Sequence, residues 1–455
     1  MKSQTSTYEF LCQSKDFKTR YISKFFYLIL AGLLISSCSA VKKTNKEIEK
    51  DFSESSVFKK GFSGLAVYDP QQDKMLYQHN AHKYYTPASN TKLFTLYTGL
   101  VILEDSVKAL EYTVKGDSLI FKGTADPSLL NPDLPESEIL SFLKTSEYQL
   151  FYARPAYKEK SLGPGWAWDD FDSYYSAEKI DLPIYGNLIE LEFTGSDAPE
   201  VTPRVLRDSV KAIQKKTENK YAQRELSSNR IQYQVMDRGE NFKQYIPFKF
   251  SNQLITRLLS DTLNKPVEIY QGNPENLDFD KTLFSIPSDS IYKRMMQVSD
   301  NFIAEQILLM AADKISDSLK TSIAIDYMKE NHLQDLPDEP MWIDGSGLSR
   351  YNLFTPRSMV KLLEKIEEEM PKEKLLQILA AGGESGTLKN YYSAETPYIY
   401  AKTGTLRNNH SLSGFLITKS GKTLIFSFMN SNYTVPTSEL KKGMTKILEQ
   451  IRDNY

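Results

Sequence analysis

Three groups of residues carry side chains suited to nucleophilic chemistry: Ser89 with Lys92, Ser299 with Asn301, and Lys402 with Thr403 and Gly404. A serine hydroxyl is a poor nucleophile until a base takes its proton. Ser89 and Lys92 are three residues apart, which puts both on one face of a helix. Lysine serves as the base only if its ammonium loses a proton near neutral pH, and burial and a second cation both favour that loss. Lys402 is the expected second cation, and the helix N-terminus adds positive potential in the same sense. Ser299 and Asn301, two apart on a turn, can face one cavity while Asp300 faces away. Ser299 would relay a proton to a leaving amine, and Asn301 would bind a substrate carbonyl and orient Lys92. Lys402, Thr403 and Thr405 suit a terminal carboxylate. Gly404 lets a second backbone approach closely, so an extended peptide can add to this strand edge. The backbone N–H groups of Ser89 and Thr405 would then form an oxyanion hole, a device worth about 3–4 kcal/mol per donor.

Each group alone has a plainer explanation. Ser-x-x-Lys suits a capped surface helix, Ser299 or Asp300 a helix cap, and Lys402-Thr403-Gly404 a turn after a strand. The surrounding elements weigh against the first of these. Thr86-Pro87 is expected to open a helix, with Thr86 as cap and Pro87 in the first turn. From Leu93 to Leu103 that helix is apolar nearly all round, so it should be buried. Phe62–Tyr68 and Met75–Tyr77 read as a hairpin. Phe302–Ala312 reads as a helix. Tyr398–Gly404, His410–Ile417 and Thr423–Met429 read as strands. The chain closes in an amphipathic helix with Leu440, Met444, Ile447, Leu448 and Ile451 facing inward. Strand pairs at both ends with helices between them predict an α+β fold, an antiparallel sheet sandwiched by helices.

Composition narrows the chemistry. The chain has 455 residues, 40% hydrophobic and 25% charged, with a net charge of -2. That is ordinary for a soluble globular protein and gives no electrostatic case for nucleic acid. Cys12 and Cys38 are the only cysteines, so the globular part offers no thiol nucleophile, disulfide or cysteine metal site. The histidines are His79, His82, His332 and His410, with no His-Glu-x-x-His arrangement, so neither a metal nor another cofactor is expected. A Ser-His-Asp triad would have to draw on these four, and His410 reads as a polar residue at a strand end.

The N-terminus reads as an address. Lys15, Lys18, Arg20 and Lys24 precede the apolar run Phe25–Ile35, which is shorter than the roughly 20 residues of a comfortable span. Ile35-Ser36-Ser37-Cys38 resembles a bacterial lipobox, which implies lipidation of Cys38. Residues 39–54 are then expected to be a tether. Residues 55–110 and 285–455 would form the catalytic domain. Residues 111–284 would be one or two inserted domains, with a strand-rich stretch at Tyr112–Lys122 and an aromatic, turn-rich one at Gly163–Tyr175.

The longer strings around the three groups are specific. They are Pro87-Ala88-Ser89-Asn90-Thr91-Lys92-Leu93, Ser299-Asp300-Asn301-Phe302-Ile303-Ala304-Glu305, Asp344-Gly345-Ser346-Gly347-Leu348-Ser349-Arg350 and Lys402-Thr403-Gly404-Thr405-Leu406, with Gly386-Thr387-Leu388-Lys389-Asn390. Together they resemble the D-Ala-D-Ala carboxypeptidase/endopeptidase family, the type-C low-molecular-mass penicillin-binding proteins. The likeness runs from about residue 60 to 450 and is weakest over about 195–280. It implies the β-lactamase/transpeptidase-like fold with a large insertion between the first and second groups. It further implies attack by Ser89 on a peptide bond between D-alanines, with Lys92 as base and β-lactams as covalent inhibitors. Gly165–Asp170 with Tyr175 resembles the part of the insertion that binds the diamino-acid side chain of a stem peptide, with Asp170 and Arg350 as candidate contacts. The expected partners are peptidoglycan stem peptides and, through the lipid, the periplasmic side of a membrane in the bacterial envelope. A β-lactamase and a non-hydrolytic peptidoglycan-binding protein on the same fold are the alternatives.

Overall fold

The sheet that carries the site is built from both ends of the chain, because its apolar strands lie at both ends of the sequence. The computed structural model describes residues 41–154, 159–194, 198–213, 221–235 and 241–455. Cys38 and its lipobox lie outside the described residues. Strands β1 (Phe62–Asp69), β2 (Lys74–His79), β3 (Ala380–Ala381), β4 (Ile399–Leu406), β5 (Asn409–Ile417) and β6 (Thr423–Ser431) form a six-stranded sheet in the order β3-β4-β5-β6-β1-β2. The pairs β1–β2, β1–β6, β3–β4 and β4–β5 are antiparallel. In β1–β6, Phe62 faces Ser431 and Tyr68 faces Ile425. In β4–β5, Lys402 faces Ser413 and Thr405 faces His410.

The helices that position the site are α1 (Lys92–Ile102), α2 (Ser288–Val298), α3 (Asn301–Ser316) and α4 (Pro356–Glu369). They share one hydrophobic core with Ala66 of β1, Phe415 of β5, and Ile425 and Met429 of β6. Helix α1 is buried from Lys92 to Gly99, as its all-round apolarity predicts. Phe94 lies between Phe354 and Trp342, with ring centroids 4.3 and 5.3 Å away. The start of this helix differs from expectation. Residues Ala88–Thr91 form a 3-10 turn, the α-helix begins only at Lys92, and no side chain caps either segment. Ala88 has φ +49°, a left-handed conformation disfavoured for residues with a Cβ, and it swings the chain into the turn. Asp300 accepts a hydrogen bond from Ile303 N at 3.0 Å and caps α3, which leaves Ser299 and Asn301 free for other work.

Between α1 and α2 the chain builds three more sheets. One has five strands (Ser106–Lys115, Ser118–Gly123, Gln149–Tyr152, Val267–Ile269 and Lys281–Pro287) and two have three each. A second core of residues from Ala109 to Val267 lies among them. The stretch Tyr112–Lys122 is a hairpin, and Gly163–Tyr175 contains 3-10 turns at Trp168–Asp170 and Tyr174–Ser176.

All of these elements belong to one compact unit, Gly61–Leu416 with Leu424–Thr434. The other described unit comprises residues up to Lys60 with Ile417–Thr423 and Val435–Tyr455. In it, residues 41–54 are helical. Ile48 and Phe52 are buried, and Asp51 pairs with Lys446 of the terminal helix Thr437–Asn454 at 2.5 Å. Apolar side chains spaced four apart give this segment one face to bury, which an extended spacer would lack. Among the described residues, no helix is long and apolar enough to cross a membrane.

Candidate active site

The three groups, separated by hundreds of residues in sequence, meet at one place. Lys92 Nζ donates to Ser89 Oγ at 3.1 Å, to Asn301 Oδ1 at 2.6 Å and to Ser346 O at 2.6 Å. Lys402 Nζ donates to Ser299 Oγ at 2.9 Å and to Thr403 O at 2.8 Å. Asn90 Nδ2 donates to Lys402 O at 2.8 Å and so ties the Ser89 turn to β4. Both lysines are fully buried, while Ser89 is half-buried.

The geometry around Lys92 constrains what it can do. An ammonium has three donors, and here each has an acceptor. Asn301 Oδ1 and Ser346 O can only accept. When the amine is neutral its two N–H bonds serve those two atoms, and its lone pair is left for the Ser89 hydroxyl proton. The environment favours that neutral state. Burial pulls Lys92 down to about 8, against the opposing pull of Asp344, Asp300 and Glu305.

The balance between the two lysines differs from the sequence expectation. Burial is expected to lower Lys92, with the charge of Lys402 adding to it. In the structure Lys402 is itself held well below the ordinary lysine range, by burial and then by the charge of Lys92. Three carboxylates favour the charged form of Lys92, whereas the neighbours of Lys402 that matter most are the protein interior and another cation. The repulsion is mutual, and it favours the neutral form of each lysine.

The carboxylate-binding candidates line β4. Thr403 Oγ1 donates to Thr387 Oγ1 at 2.8 Å, and Thr405 Oγ1 lies 2.8 Å from His410 Nδ1. A Cβ on Gly404 would sit 2.3 Å from Pro87 O, 2.8 Å from Asn90 N and 2.9 Å from Ser89 N. All three are backbone atoms, with no flexible side chain to give way. Gly404→Ala is therefore expected to push β4 off the nucleophile turn. The expected destabilisation is about 3 kcal/mol, read as a lowered melting temperature together with a loss of covalent penicillin labelling. An unchanged melting temperature would show that the two backbones do not meet as described.

Asp170 and Arg350 sit nearby but differ in what they touch. The 163–176 loop reaches the site: Trp166 Nε1 donates to Asp344 Oδ2 at 2.8 Å, and Asn301 Nδ2 donates to Tyr175 O at 2.9 Å. Asp170 accepts from Tyr175 OH at 2.8 Å. Arg350 gives its backbone N–H to Gly165 O at 3.2 Å, while its side chain is exposed. The Asn301 amide nitrogen, expected to hold a substrate carbonyl, is here engaged by Tyr175. Residue-level reading assigned no task to Asn90, Glu305, Asp344, Ser346 or Thr387. All five fall within the strings that carried the resemblance, the one signal that pointed to them.

The comparisons with known proteins agree with this geometry. A family model described as the D-Ala-D-Ala carboxypeptidase 3 (S13) family matches residues 44–453. The D-alanyl-D-alanine carboxypeptidase DacB of Haemophilus influenzae is 23% identical, over 86% of this chain and 90% of that protein. The penicillin-sensitive carboxypeptidase A of Dictyostelium discoideum is 23% identical, over 77% and 78%. The crystal structure of penicillin binding protein 4 from H. influenzae shares the fold, with a TM-score of 0.69 at 19% identity, covering 90% of this chain and 98% of that one. A match that spans the sheet, the helices and all three groups leaves one assignment: the chain belongs to the D-Ala-D-Ala carboxypeptidase 3 (S13) family.

Proposed function

We propose that this serine-type D-Ala-D-Ala carboxypeptidase/endopeptidase acts through an acyl-enzyme on Ser89, with Lys92 as the general base. The observation that carries this reading is the partnership of Lys92 Nζ: two obligate acceptors and one hydroxyl, Ser89 Oγ, at 3.1 Å. Ser89 Oγ attacks the carbonyl carbon between two D-alanines and its proton passes to Lys92. The N–H groups of Ser89 and Thr405 hold the resulting oxyanion. The C–N bond then breaks, and the leaving amine takes a proton through Ser299, which Lys402 holds at 2.9 Å. Water then attacks the ester carbon, its proton passing through Ser299 to Lys402, while Lys92 returns its proton to Ser89 Oγ as the ester C–O bond breaks and the shortened peptide leaves.

Substrate binding changes the balance between the lysines. Thr403, Thr405 and Lys402 receive the terminal carboxylate. That negative charge favours the ammonium of Lys402, and the cation in turn pushes Lys92 toward its neutral form. Gly404 keeps the strand edge open to an extended peptide. Asp170 and Arg350 face the stem-peptide side chain at the rim formed by the 163–176 loop. β-Lactams acylate Ser89 by the same attack.

The basic, apolar and small-residue order that ends at Cys38 supports export and lipidation of that cysteine. The enzyme then works on peptidoglycan at the periplasmic side of a membrane in the bacterial envelope.

The test is incubation of purified protein with muropeptides, followed by mass analysis. Loss of one D-alanine marks the carboxypeptidase, and conversion of cross-linked dimers to monomers marks the endopeptidase. Unchanged muropeptides together with rapid turnover of penicillin would sink this reading in favour of a β-lactamase. Unchanged muropeptides and no covalent labelling would leave a binding protein.

A further inference from the structure

Helix α3 presents two side chains toward Lys92. Asn301 and Glu305 are four residues apart and so share a face. Asn301 touches Nζ directly, whereas Glu305 acts through the backbone of one residue. Its Oε1 accepts from Ser346 N at 2.8 Å, and Ser346 O accepts from Lys92 Nζ at 2.6 Å. The Ser346 backbone is thus held at its N–H by Glu305 and at its C=O by Lys92.

Glu305 is only 1% exposed, and its Oε2 has no hydrogen-bond partner. A buried carboxyl oxygen left unpaired is costly, so its presence calls for a reason. Asp344 nearby is the opposite case. Its Oδ1 accepts from Gly347 N and Asn352 Nδ2, and its Oδ2 accepts from Trp166 Nε1, Ser349 N and Ser346 Oγ. Five donors satisfy both oxygens of Asp344, whereas Glu305 has one oxygen left unpaired.

We propose that Glu305 is a positioning residue for Lys92: it holds the Ser346 carbonyl on Nζ and is the counter-charge for the ammonium that forms as Ser89 gives up its proton. This rests on Lys92 being the base, as argued above.

The charges around the pair are these. Asp344, Asp300 and Glu305 favour the charged form of Lys92, and Lys402 repels it. Asp344 repels a charge on Glu305 and Lys179 favours one, with Lys179 itself paired to Glu159 at 3.1 Å. Burial and Asp344 raise Glu305 to about 7, so its charge is sensitive to pH in the range where Lys92 works.

The sign of the effect follows. Removing the anion removes a pull that favours the ammonium, so the acid limb set by Lys92 moves to lower pH. It also leaves a weaker base and an ammonium without its counter-charge, so the plateau rate falls.

The experiment is the rate of penicillin acylation of the full chain against pH, for the wild type and for Glu305→Gln. Glutamine keeps an acceptor for Ser346 N and carries no charge. The expected result is a limb displaced downward by about half a pH unit or more, with a plateau reduced about three- to tenfold. A merely structural role would lower the rate at every pH and leave the limb in place, and that result would overturn the proposal. Glu305→Asp keeps the charge and shortens the reach. Its limb should stay with the wild type while its plateau falls, and this comparison stands even if the glutamine variant does not fold. An Asp variant whose limb drops by half a unit would also overturn the proposal. A wild-type profile with no acid limb would sink the base assignment for Lys92, and this one with it. A wild-type limb that Glu305→Gln fails to move sinks this assignment alone.

Discussion

In Ser89→Ala, penicillin leaves no covalent adduct and D-alanine release falls to background, while the protein melts within about 2 °C of the wild type. The reason is local. Ser89 Oγ is the hydroxyl beside Lys92 Nζ, at 3.1 Å, and it sits on a half-buried turn that a substrate can reach. Ser299, which pairs with Lys402 at 2.9 Å, lacks the link to Lys92 and cannot substitute for it. The fold is indifferent to the loss, because Ala88–Thr91 is held by other bonds. Thr91 Oγ1 donates to Ala88 O at 2.9 Å, and Asn90 Nδ2 donates to Lys402 O at 2.8 Å. One net hydrogen bond lost at a half-exposed site costs about 1 kcal/mol. Intact mass after exposure to penicillin reads the first effect and a thermal melt reads the second. An adduct that persists in the variant would place the nucleophile elsewhere.

Lys92→Met should lower acylation by about 10²–10⁴-fold, the usual worth of a positioned base. Methionine keeps the length of the buried stem and removes only the proton acceptor. The pH dependence of the wild type gives the same residue a second signature. With Lys92 at about 8, the neutral amine becomes the minor form below that pH, so the acylation rate should fall about tenfold per unit there. In the methionine variant the residual rate should lose that limb. A limb that survives in Lys92→Met would assign the titration to another group.

Stability carries the same signature with a definite sign. The unfolded chain holds the Lys92 proton up to about 10.5, but the folded chain only to about 8. Across that window the unfolded state binds more protons, so the contribution of Lys92 makes folding more favourable as pH rises from 8 to 10.5. Below 8 both states hold the proton and that contribution levels off. Lys402, lowered in the same direction, adds in the same sense.

Much of the chemistry was legible in the order of residues, because it depends on short-range spacing. Ser89 and Lys92 share a face whether the turn is 3-10 or α, so the expected pair survived an error about where the helix begins. The apolar run after Lys92 foretold a buried lysine, and α1 is buried as expected. The strands from Ile399 to Ser431 follow from apolar β-formers punctuated by turns. Residues 41–54 form a helix despite their many charges, because the few apolar side chains share one face.

By itself, the sequence determined which groups exist to do chemistry: a hydroxyl and an amine three residues apart, a second lysine before a glycine, and no thiol to compete. Only the tertiary structure decided where the protons reside. That depends on which charges converge through space: Asp300 and Glu305 come to Lys92 on one helix, Asp344 on a loop and Lys402 on a strand. Electrostatic energy in a buried site falls with distance and rises with desolvation. Neither quantity is written in the order of residues, so the proton balance between Lys92 and Lys402 became readable only once the chain was folded.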